Sequence, residues 1–266
     1  MTTANSFITG TEAAITTHAA ALVISEAWRA VSSRRQFSLV LAGGHSPRQL
    51  YRKLSAGISP EIMMLHDIPP AGTPRQDGLI RIPWHETLIF WGDERCVPPD
   101  HPDSNYRMAK ETLLGSPGIH DNRVFRMNGE LRPAEKGAEI YEKTIRAALG
   151  PEIMATSHNE PVFDLMILGL GEDGHTASLF PGDQDTLDES HRLVVAVKTH
   201  ETPPRVPRMT MSLPLINRTR TVLFYTEGTR RLKLARAIAE RKAPCNLPAC
   251  RVQPASKRIF WFISLP

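Results

Sequence analysis

Residues 37–47 read FSLVLAGGHSP, a near-continuous apolar run followed by two glycines, a histidine, a serine and a proline. An apolar run bounded by glycine is typical of a strand that is buried on both faces, as in a parallel sheet. Gly43 and Gly44 allow a tight turn, and Ser46 followed by Pro47 is typical of a helix start. The stretch therefore predicts a buried strand, a turn and a helix, which is the repeating unit of an α/β fold.

The same pattern recurs along the chain. Strand-like runs occupy residues 37–42, 87–91, 162–168, 193–197, 221–226 and 259–263. Helical patterns occupy residues 15–31, 48–54, 104–114, 134–149 and 229–240. This alternation predicts a doubly wound, mostly parallel sheet flanked by helices, in a Rossmann-like arrangement. Such folds bind ligands at the carboxyl ends of their strands, so the loops that follow strands are the candidate sites.

Length and composition favour one folded domain spanning residues 1–266. Hydrophobic residues make up 41% of the chain and charged residues 23%, which suits a sizeable core rather than disorder. Residues 68–83 (IPPAGTPRQDGLIRIP) are rich in proline and glycine and lack periodicity. Because strand and helix patterns continue on both sides, this segment predicts a long surface loop and not a linker between domains.

Charge and cysteine content narrow the class of protein. The formal charge of +4 is spread among 28 acidic residues, which favours a mixed solvated surface over a nucleic-acid footprint. No apolar run reaches about 18 residues, and no signal peptide is apparent, so we expect no membrane partner. Cys96, Cys245 and Cys250 cannot all pair and match no zinc or redox spacing. We therefore expect free thiols and a cytoplasmic protein.

Two of the loops after strands are candidates for ligand binding. Gly43, Gly44 and Ser46 precede a predicted helix, whose N-terminal N–H groups suit a phosphate; an ordinary strand-to-helix turn would look the same. Asp93 and Arg95 follow the strand at 87–91, with Glu94 between them. These three could bind sugar hydroxyls or orient a proton-transfer group. Taken alone, they are better interpreted as a solvated surface ion pair.

A third loop, residues 168–176 (LGLGEDGHT), contains the dinucleotide fingerprint G-x-G-x-x-G. We reject that interpretation because Glu172 and Asp173 would repel a pyrophosphate, and because the loop lies in the middle of the chain. The loop instead predicts a positioned imidazole, His175, with Asp173 as its carboxylate neighbour. Histidine titrates near neutral pH and commonly serves as a general base, although a lone histidine is more often structural.

A set of basic residues lies late in the chain. If strands 209–213 and 221–226 belong to the same sheet, some of these side chains could converge on a phosphate. These residues are Arg205, Arg208, Arg230, Arg231 and Lys233, with Arg218 and Arg220 nearby in sequence. Other hydrolase schemes have little support. The chain has no G-x-S-x-G elbow, which argues against a serine hydrolase, and no H-E-x-x-H or other metal-ligand spacing.

Together these loops resemble the 6-phosphogluconolactonase family from about residue 14 onward. The matching segments, in family order, are LVLAGGHSPRQLY, FWGDERCVPPDHPDSNYRMAKETLL, FDLMILGLGEDGHTASLFPG, PRMTMSLPLIN and LPACRVQPASKRIFWF. The resemblance implies an α/β fold shared with glucosamine-6-phosphate deaminases and ribose-5-phosphate isomerases. It also implies hydrolysis of 6-phospho-D-glucono-1,5-lactone in the oxidative pentose phosphate pathway, with no metal or organic cofactor. The implied partner is this small sugar-phosphate lactone; loose association with pentose-phosphate dehydrogenases is left open.

The resemblance also implies roles for individual residues. It places the 6-phosphate against Gly43, Gly44 and Ser46, with Arg208 as a cationic partner. It makes His175 the general base, with Asp173 beside it and with Asp93 and Arg95 lining the same cleft. The chain departs from the family in three places: His45 and Ser46 replace a serine and a threonine, Arg231 replaces a lysine, and the loop at 68–83 looks longer.

Two alternative functions stay open. The deaminase branch of the superfamily also has a turn ending in Asp-Gly-His, but it continues with Ile-Ala-Phe-Asn-Glu, whereas residues 176–182 here read TASLFPG. The missing glutamate favours the lactonase. A sugar-phosphate sensor without catalytic activity is the other alternative, and the absence of an appended DNA-binding motif counts against it.

Overall fold

The computed structural model describes residues 5–150, 162–244 and 246–265, so Cys245 and the first four residues lie outside the described part. In chain order its strands are β1 (Asn5–Gly10), β2 (Phe37–Leu41), β3 (Thr87–Trp91), β4 (Asp93–Arg95), β5 (Phe163–Leu168), β6 (Val194–Val197), β7 (Arg208–Met211), β8 (Thr219–Glu227) and β9 (Ile259–Ser264). Six of them form a parallel sheet in the order β1-β9-β8-β5-β2-β3. The other three form a small antiparallel sheet in the order β4-β7-β6.

The small sheet corrects two expectations. The run at 193–197 belongs to β6, which lies outside the parallel sheet, and the run at 209–213 contributes to β7, which does not share a sheet with β8. The connection between β6 and β7 explains both results. Residues 198–207 are too few for the crossover that parallel neighbours need, about a dozen residues or more, so the two strands pair antiparallel.

Helices cover both faces of the parallel sheet. They are α1 (Glu12–Arg34), α2 (Arg48–Ala56), α3 (Pro60–Leu65), α4 (Asn105–Ala109, continued by a π turn at Lys110–Leu114), α5 (Ala134–Leu149), α6 (Gln184–Leu187), α7 (Leu213–Asn217) and α8 (Thr229–Ala239). Helices α1 to α4 share one hydrophobic core with the sheet. Helices α5 and α8 and the small sheet share the core on the other face. The predicted doubly wound arrangement is therefore confirmed.

Local sequence accounts for the boundaries of the longest helix. Thr11 caps α1, its hydroxyl accepting a hydrogen bond from the Ala14 N–H at 3.4 Å, and Arg35 ends the helix in a left-handed conformation (φ 61°). The alanine-rich face of α1 packs on the sheet. Strand β2 is buried at all five positions, as expected for a central parallel strand.

Residues 69–78 contain neither helix nor strand and are mostly exposed. Two contacts fix the return of this segment to the core. The Trp28 indole N–H donates to the Arg81 carbonyl oxygen at 2.8 Å, and Ile58 forms an isolated β-bridge with Ile80. In the described ranges, no helix combines the length and the apolar character that crossing a bilayer would require.

Candidate active site

A cleft of about 200 Å³ opens where β2, β3, β5 and β8 end. This is the edge of an α/β sheet at which ligands generally bind. The predicted site residues that line the cleft are Gly43, Gly44, Ser46, Asp93, Arg95, His175, Arg208 and Arg231. Asp173 does not line it but bonds directly to His175. Loops that are more than 180 residues apart in the chain thus meet at one place.

The loop after β2 departs from its prediction at the start of α2. Ser46 was expected to cap this helix, but Pro47 occupies the N-cap position and no side chain caps the helix. The Ser46 hydroxyl instead donates to Glu227 Oε1 at 3.4 Å. Since Ser46 does not cap α2, its hydroxyl stays at the cleft, beside a helix N-terminus that carries partial positive charge.

Gly43 is required by close packing, and Gly44 by backbone conformation. A Cβ atom at Gly43 would collide with the side-chain amide of Asn105, whereas Gly44 has a φ of +86° and open space around it. The Asn105 amide donates to the Asp93 carbonyl oxygen at 2.9 Å. Asn105 was not singled out from the sequence, because its side-chain contacts are with residues 12 or more positions away.

Asp93 and Glu94 are buried, so the interpretation of a solvated surface ion pair is wrong. Asp93 Oδ2 accepts a hydrogen bond from the Ser178 hydroxyl at 2.6 Å. The Glu94 carboxylate accepts from the backbone N–H groups of Asn105 and Tyr106, both at 2.8 Å, and thereby caps α4. Asp93 therefore links the loop after β3 to the loop that carries His175.

Asp173 holds the imidazole of His175 in place. Their Nδ1 and Oδ1 atoms are 2.6 Å apart, and Oδ1 also accepts the backbone N–H of His175 at 3.1 Å. Burial acts to raise the pKa of Asp173, but these hydrogen bonds outweigh it and lower that pKa to about 2. A Cβ atom at Gly171 would collide with the imidazole, so glycine is needed there. The ring of Phe180 lies against the imidazole, with centroids 5.0 Å apart.

Of the basic residues that the sequence places late in the chain, Arg208 and Arg231 line the cleft. Arg208 is almost fully buried, and its Nη2 donates to the carbonyl oxygens of Thr202, Pro203 and Pro204 at 2.9–3.2 Å. Burial lowers the pKa of Arg208, and the nearby Asp93 carboxylate opposes that effect. Arg231 is more exposed.

The Arg231 guanidinium is held at the mouth of the cleft. Its Nη1 donates to the Glu227 carbonyl oxygen at 3.0 Å and lies 3.9 Å from Glu172 Oε1. Arg95, in turn, donates from Nη1 to the Asp103 carbonyl oxygen at 2.9 Å. Three guanidinium groups therefore face one small cleft, which suits an anionic ligand. Among the side chains that the structure describes, no three His, Cys, Asp or Glu residues gather as a metal site would require.

Residues 10–261 match the family model described as glucosamine-6-phosphate isomerases/6-phosphogluconolactonase. The chain belongs to this family. The 6-phosphogluconolactonase of Homo sapiens is 37% identical over 87% of this chain and 79% of its own length. That of Synechocystis is 33% identical over 87% of this chain and 84% of its own length. The family resemblance read from the sequence is confirmed.

Solved structures of family members show the same fold. The 6-phosphogluconolactonase from Thermotoga maritima has a TM-score of 0.76 and 27% identity, covering 98% of this chain and 99% of that one. The Trypanosoma brucei enzyme has a TM-score of 0.75 and 27% identity, covering 98% and 96%. A monomeric glucosamine-6-phosphate deaminase also superposes, with a TM-score of 0.71, but at 16% identity this shows a shared fold alone.

Proposed function

We propose that this protein hydrolyses 6-phospho-D-glucono-1,5-lactone to 6-phospho-D-gluconate, with His175 as the general base. The observation that carries the proposal is the His175–Asp173 pair, which lies in the same cleft as the glycine loop and three arginines. The family membership and the names of the relatives, 6-phosphogluconolactonases, support this substrate.

The Asp173 contact determines how His175 acts on water. Because Nδ1 donates to Asp173 Oδ1, neutral His175 carries its proton on Nδ1 and presents the Nε2 lone pair for a water molecule. The ionised carboxylate also stabilises the imidazolium that forms when water is deprotonated. General base catalysis of this kind contributes about 10²–10⁴-fold to a rate, which suits a substrate that is already an activated ester.

The reaction balances without a cofactor. His175 Nε2 takes a proton from water as the water oxygen bonds to the lactone carbonyl carbon, C1, and negative charge develops on the carbonyl oxygen. Backbone N–H groups of the glycine turns and Arg95 are the candidate donors to this oxyanion. When the tetrahedral intermediate collapses, the bond between C1 and the ring oxygen breaks. The imidazolium then returns its proton to the departing ring oxygen.

The 6-phosphate lies at the opposite end of the substrate from C1. We place it against Gly43, Gly44 and Ser46, where the uncapped N-terminus of α2 offers partial positive charge. Arg208 and Arg231, which line the same cleft, supply cationic charge. Binding the phosphate there holds the lactone ring in register with His175, so binding energy is used for orientation. Asp93 then acts by holding the His175 loop through Ser178.

Two finer expectations belong with this proposal. The reaction takes place in the cytoplasm, which agrees with Cys96 being a buried free thiol. Loose association with the dehydrogenases that make the lactone and consume its product stays a prediction.

The test is hydrolysis of freshly generated lactone above its spontaneous rate by wild type, His175→Ala and the control His191→Ala. His191 is exposed and lies outside the cleft. We expect turnover by wild type and the control, and a loss of about 10²-fold or more in His175→Ala. Equal rates in His175→Ala would refute the base assignment alone. A wild-type rate no faster than the spontaneous one, or ammonia release from glucosamine 6-phosphate, would refute the lactonase.

A further inference from the structure

A second concave site lies at the edge of the main sheet where its strands begin, opposite the cleft, and has a volume of about 200 Å³. Asp164 in β5 and Arg220 in β8 are neighbours in the parallel register, and Arg258 immediately precedes β9. The second half of α1 supplies the remaining charged side chains, and Ser256 completes the lining. We call this site the arginine pocket; its charged residues are Glu26, Arg29, Arg34, Asp164, Arg220 and Arg258.

Hydrogen bonds hold both carboxylates of the arginine pocket; Glu26 is buried, and the side chain of Asp164 is 12% exposed. Asp164 Oδ2 accepts hydrogen bonds from the backbone N–H and the hydroxyl of Ser38, at 2.8 and 2.9 Å, while Oδ1 accepts from Arg34 Nη2 at 2.6 Å. Glu26 accepts a bidentate pair from Arg258, at 2.8 and 2.9 Å. Each carboxylate therefore already has one close arginine partner, which satisfies the structural requirement for charge pairing.

Arg29 and Arg220 are not needed to pair these two carboxylates. Arg29 makes an additional contact with Glu26 at 2.8 Å, but its side chain is 59% exposed. Arg220 Nε lies 3.6 Å from Asp164 Oδ1, beyond hydrogen-bond distance, and its side chain is 42% exposed. Four guanidinium groups against two carboxylates leave an excess of two positive charges in one concave space. Water weakens their mutual repulsion at these exposed positions, and a bound anion would reduce it further.

We propose that the arginine pocket binds a phosphate dianion. Guanidinium groups match phosphate oxygens with paired N–H donors, and a dianion matches the excess of two positive charges. The carboxylates orient Arg34 and Arg258 in advance, so these two side chains lose little freedom on binding. Inorganic phosphate and the phosphate group of a phosphorylated metabolite share this chemistry. The site is separate from the cleft, so it is independent of the lactonase proposal.

The variant that tests this is Arg29→Gln/Arg220→Gln, which removes the excess charge and keeps the pairs Arg34–Asp164 and Arg258–Glu26. Its matched control, Arg52→Gln/Arg75→Gln, loses the same charge at exposed positions outside the pocket. Isothermal titration calorimetry at constant ionic strength measures binding of inorganic phosphate and of glycerol 3-phosphate. Arg231→Gln identifies the binding event that belongs to the cleft.

We expect two phosphate-binding events per chain in wild type and in the control. In Arg29→Gln/Arg220→Gln one event weakens at least tenfold, while lactone hydrolysis in phosphate-free buffer is unchanged, which also shows that the variant folds. Tighter binding of glycerol 3-phosphate at this site would indicate a metabolite, and tighter binding of inorganic phosphate the free ion. The proposal is wrong if wild type shows only the event that Arg231→Gln removes. It is equally wrong if the double variant binds as wild type does, or if the control loses the same event.

Discussion

Asp173 determines which nitrogen of His175 faces the cleft, because it accepts the proton of Nδ1 at 2.6 Å. With its pKa lowered to about 2, the carboxylate stays ionised wherever the enzyme would be assayed. The direction of this pKa shift determines how the effect of Asp173 depends on pH. The ionised Asp173 carboxylate stabilises the folded arrangement of the His175 loop. This stabilisation is complete above the ordinary aspartate pKa of about 3.9 and is lost only as pH falls toward 2. Activity lost between pH 7 and pH 5 therefore reflects another group.

Replacing Asp173 with asparagine should lower kcat far more than it changes KM. The amide can donate to Nδ1 and so favours the tautomer with its proton on Nε2, which cannot accept a proton from water. We expect kcat to fall about 10²–10⁴-fold. Steady-state kinetics on the lactone measure this, with Asp185→Asn as an exposed control that lies outside the cleft. If KM rises and kcat is retained, Asp173 contributes to substrate binding instead of orienting the imidazole.

The turn after β5 offers a matched pair of glycines. A Cβ atom at Gly171 would collide with the imidazole of His175 and contact the Asp173 carboxylate, whereas one at Gly169 would meet nothing within 4 Å. Neither glycine has a positive φ, so backbone strain does not distinguish the two substitutions. The difference between the alanine variants therefore isolates the position of the imidazole.

We expect Gly171→Ala to lower kcat by about 10-fold or more, since a small displacement of a catalytic group is costly. Gly169→Ala should retain most of the activity and the same unfolding midpoint. Kinetics and thermal unfolding of both variants measure this. If Gly169→Ala is the more damaged of the two, the turn contributes through substrate contact rather than through the placement of His175.

At the level of elements, apolar runs were sufficient to predict β2, β3, β5, β8 and β9, because strands buried on both faces carry an unbroken hydrophobic signal. The short strand β4 could not be predicted, since Asp93–Arg95 is polar and pairs only through its distant partner β7. The apolar run of β6 predicted a strand, but its sheet could not be predicted, because that depends on its pairing with β7. Hydrophobic pattern thus predicts that a strand exists better than it predicts its neighbours.

The site residues that could be predicted lie in loops that follow strands. The ones that were missed act through hydrogen bonds to residues that are distant in sequence. Gly43, Asp93 and His175 lie in the segments that follow β2, β3 and β5, and could be found by that rule. Asn105 and Ser178, which hold Asp93, have no local signal that distinguishes them from helix-capping or turn residues. Their importance lies in hydrogen bonds to a residue 12 and 85 positions away, respectively.

At the scale of the whole molecule, helix α1 connects the two edges of the sheet. Near its start, the Thr16 hydroxyl bonds to the hydroxyl of Tyr225, which lines the cleft, at 2.7 Å. Near its end, Arg34 reaches the arginine pocket. Arg34 follows Thr16 by 18 positions, which is about 27 Å at the rise of an α-helix. The lactone cleft and the proposed phosphate site are therefore too far apart to share a ligand.

The packing of α1 also makes the stability of the molecule depend on pH. His18 stacks on His66, with ring centroids 4.3 Å apart, and meets Phe262 of β9 edge-on at 5.2 Å. Burial, assisted by the charge of His66 and opposed by Asp67, lowers the pKa of His18 to about 4. The folded protein therefore favours neutral His18. Its contribution to stability is complete above its ordinary pKa of about 6.5 and is lost as pH falls toward 4.

Between pH 7 and pH 4.5 we expect the free energy of unfolding of His18→Gln to fall less than that of wild type, because the variant lacks the imidazole that the folded protein keeps neutral. Burial raises the pKa of Glu94 to about 7, and this opposes the fall equally in both proteins. Some dependence should persist, because burial also lowers the pKa of His66. Urea unfolding at several pH values measures both slopes, and the exposed His191→Gln should retain the wild-type slope. The relevant quantity is the slope and not the absolute stability, since glutamine also alters the stacking. If His18→Gln keeps the full wild-type slope, the proton that destabilises the molecule binds elsewhere, and the contact between α1, His66 and β9 does not sense pH.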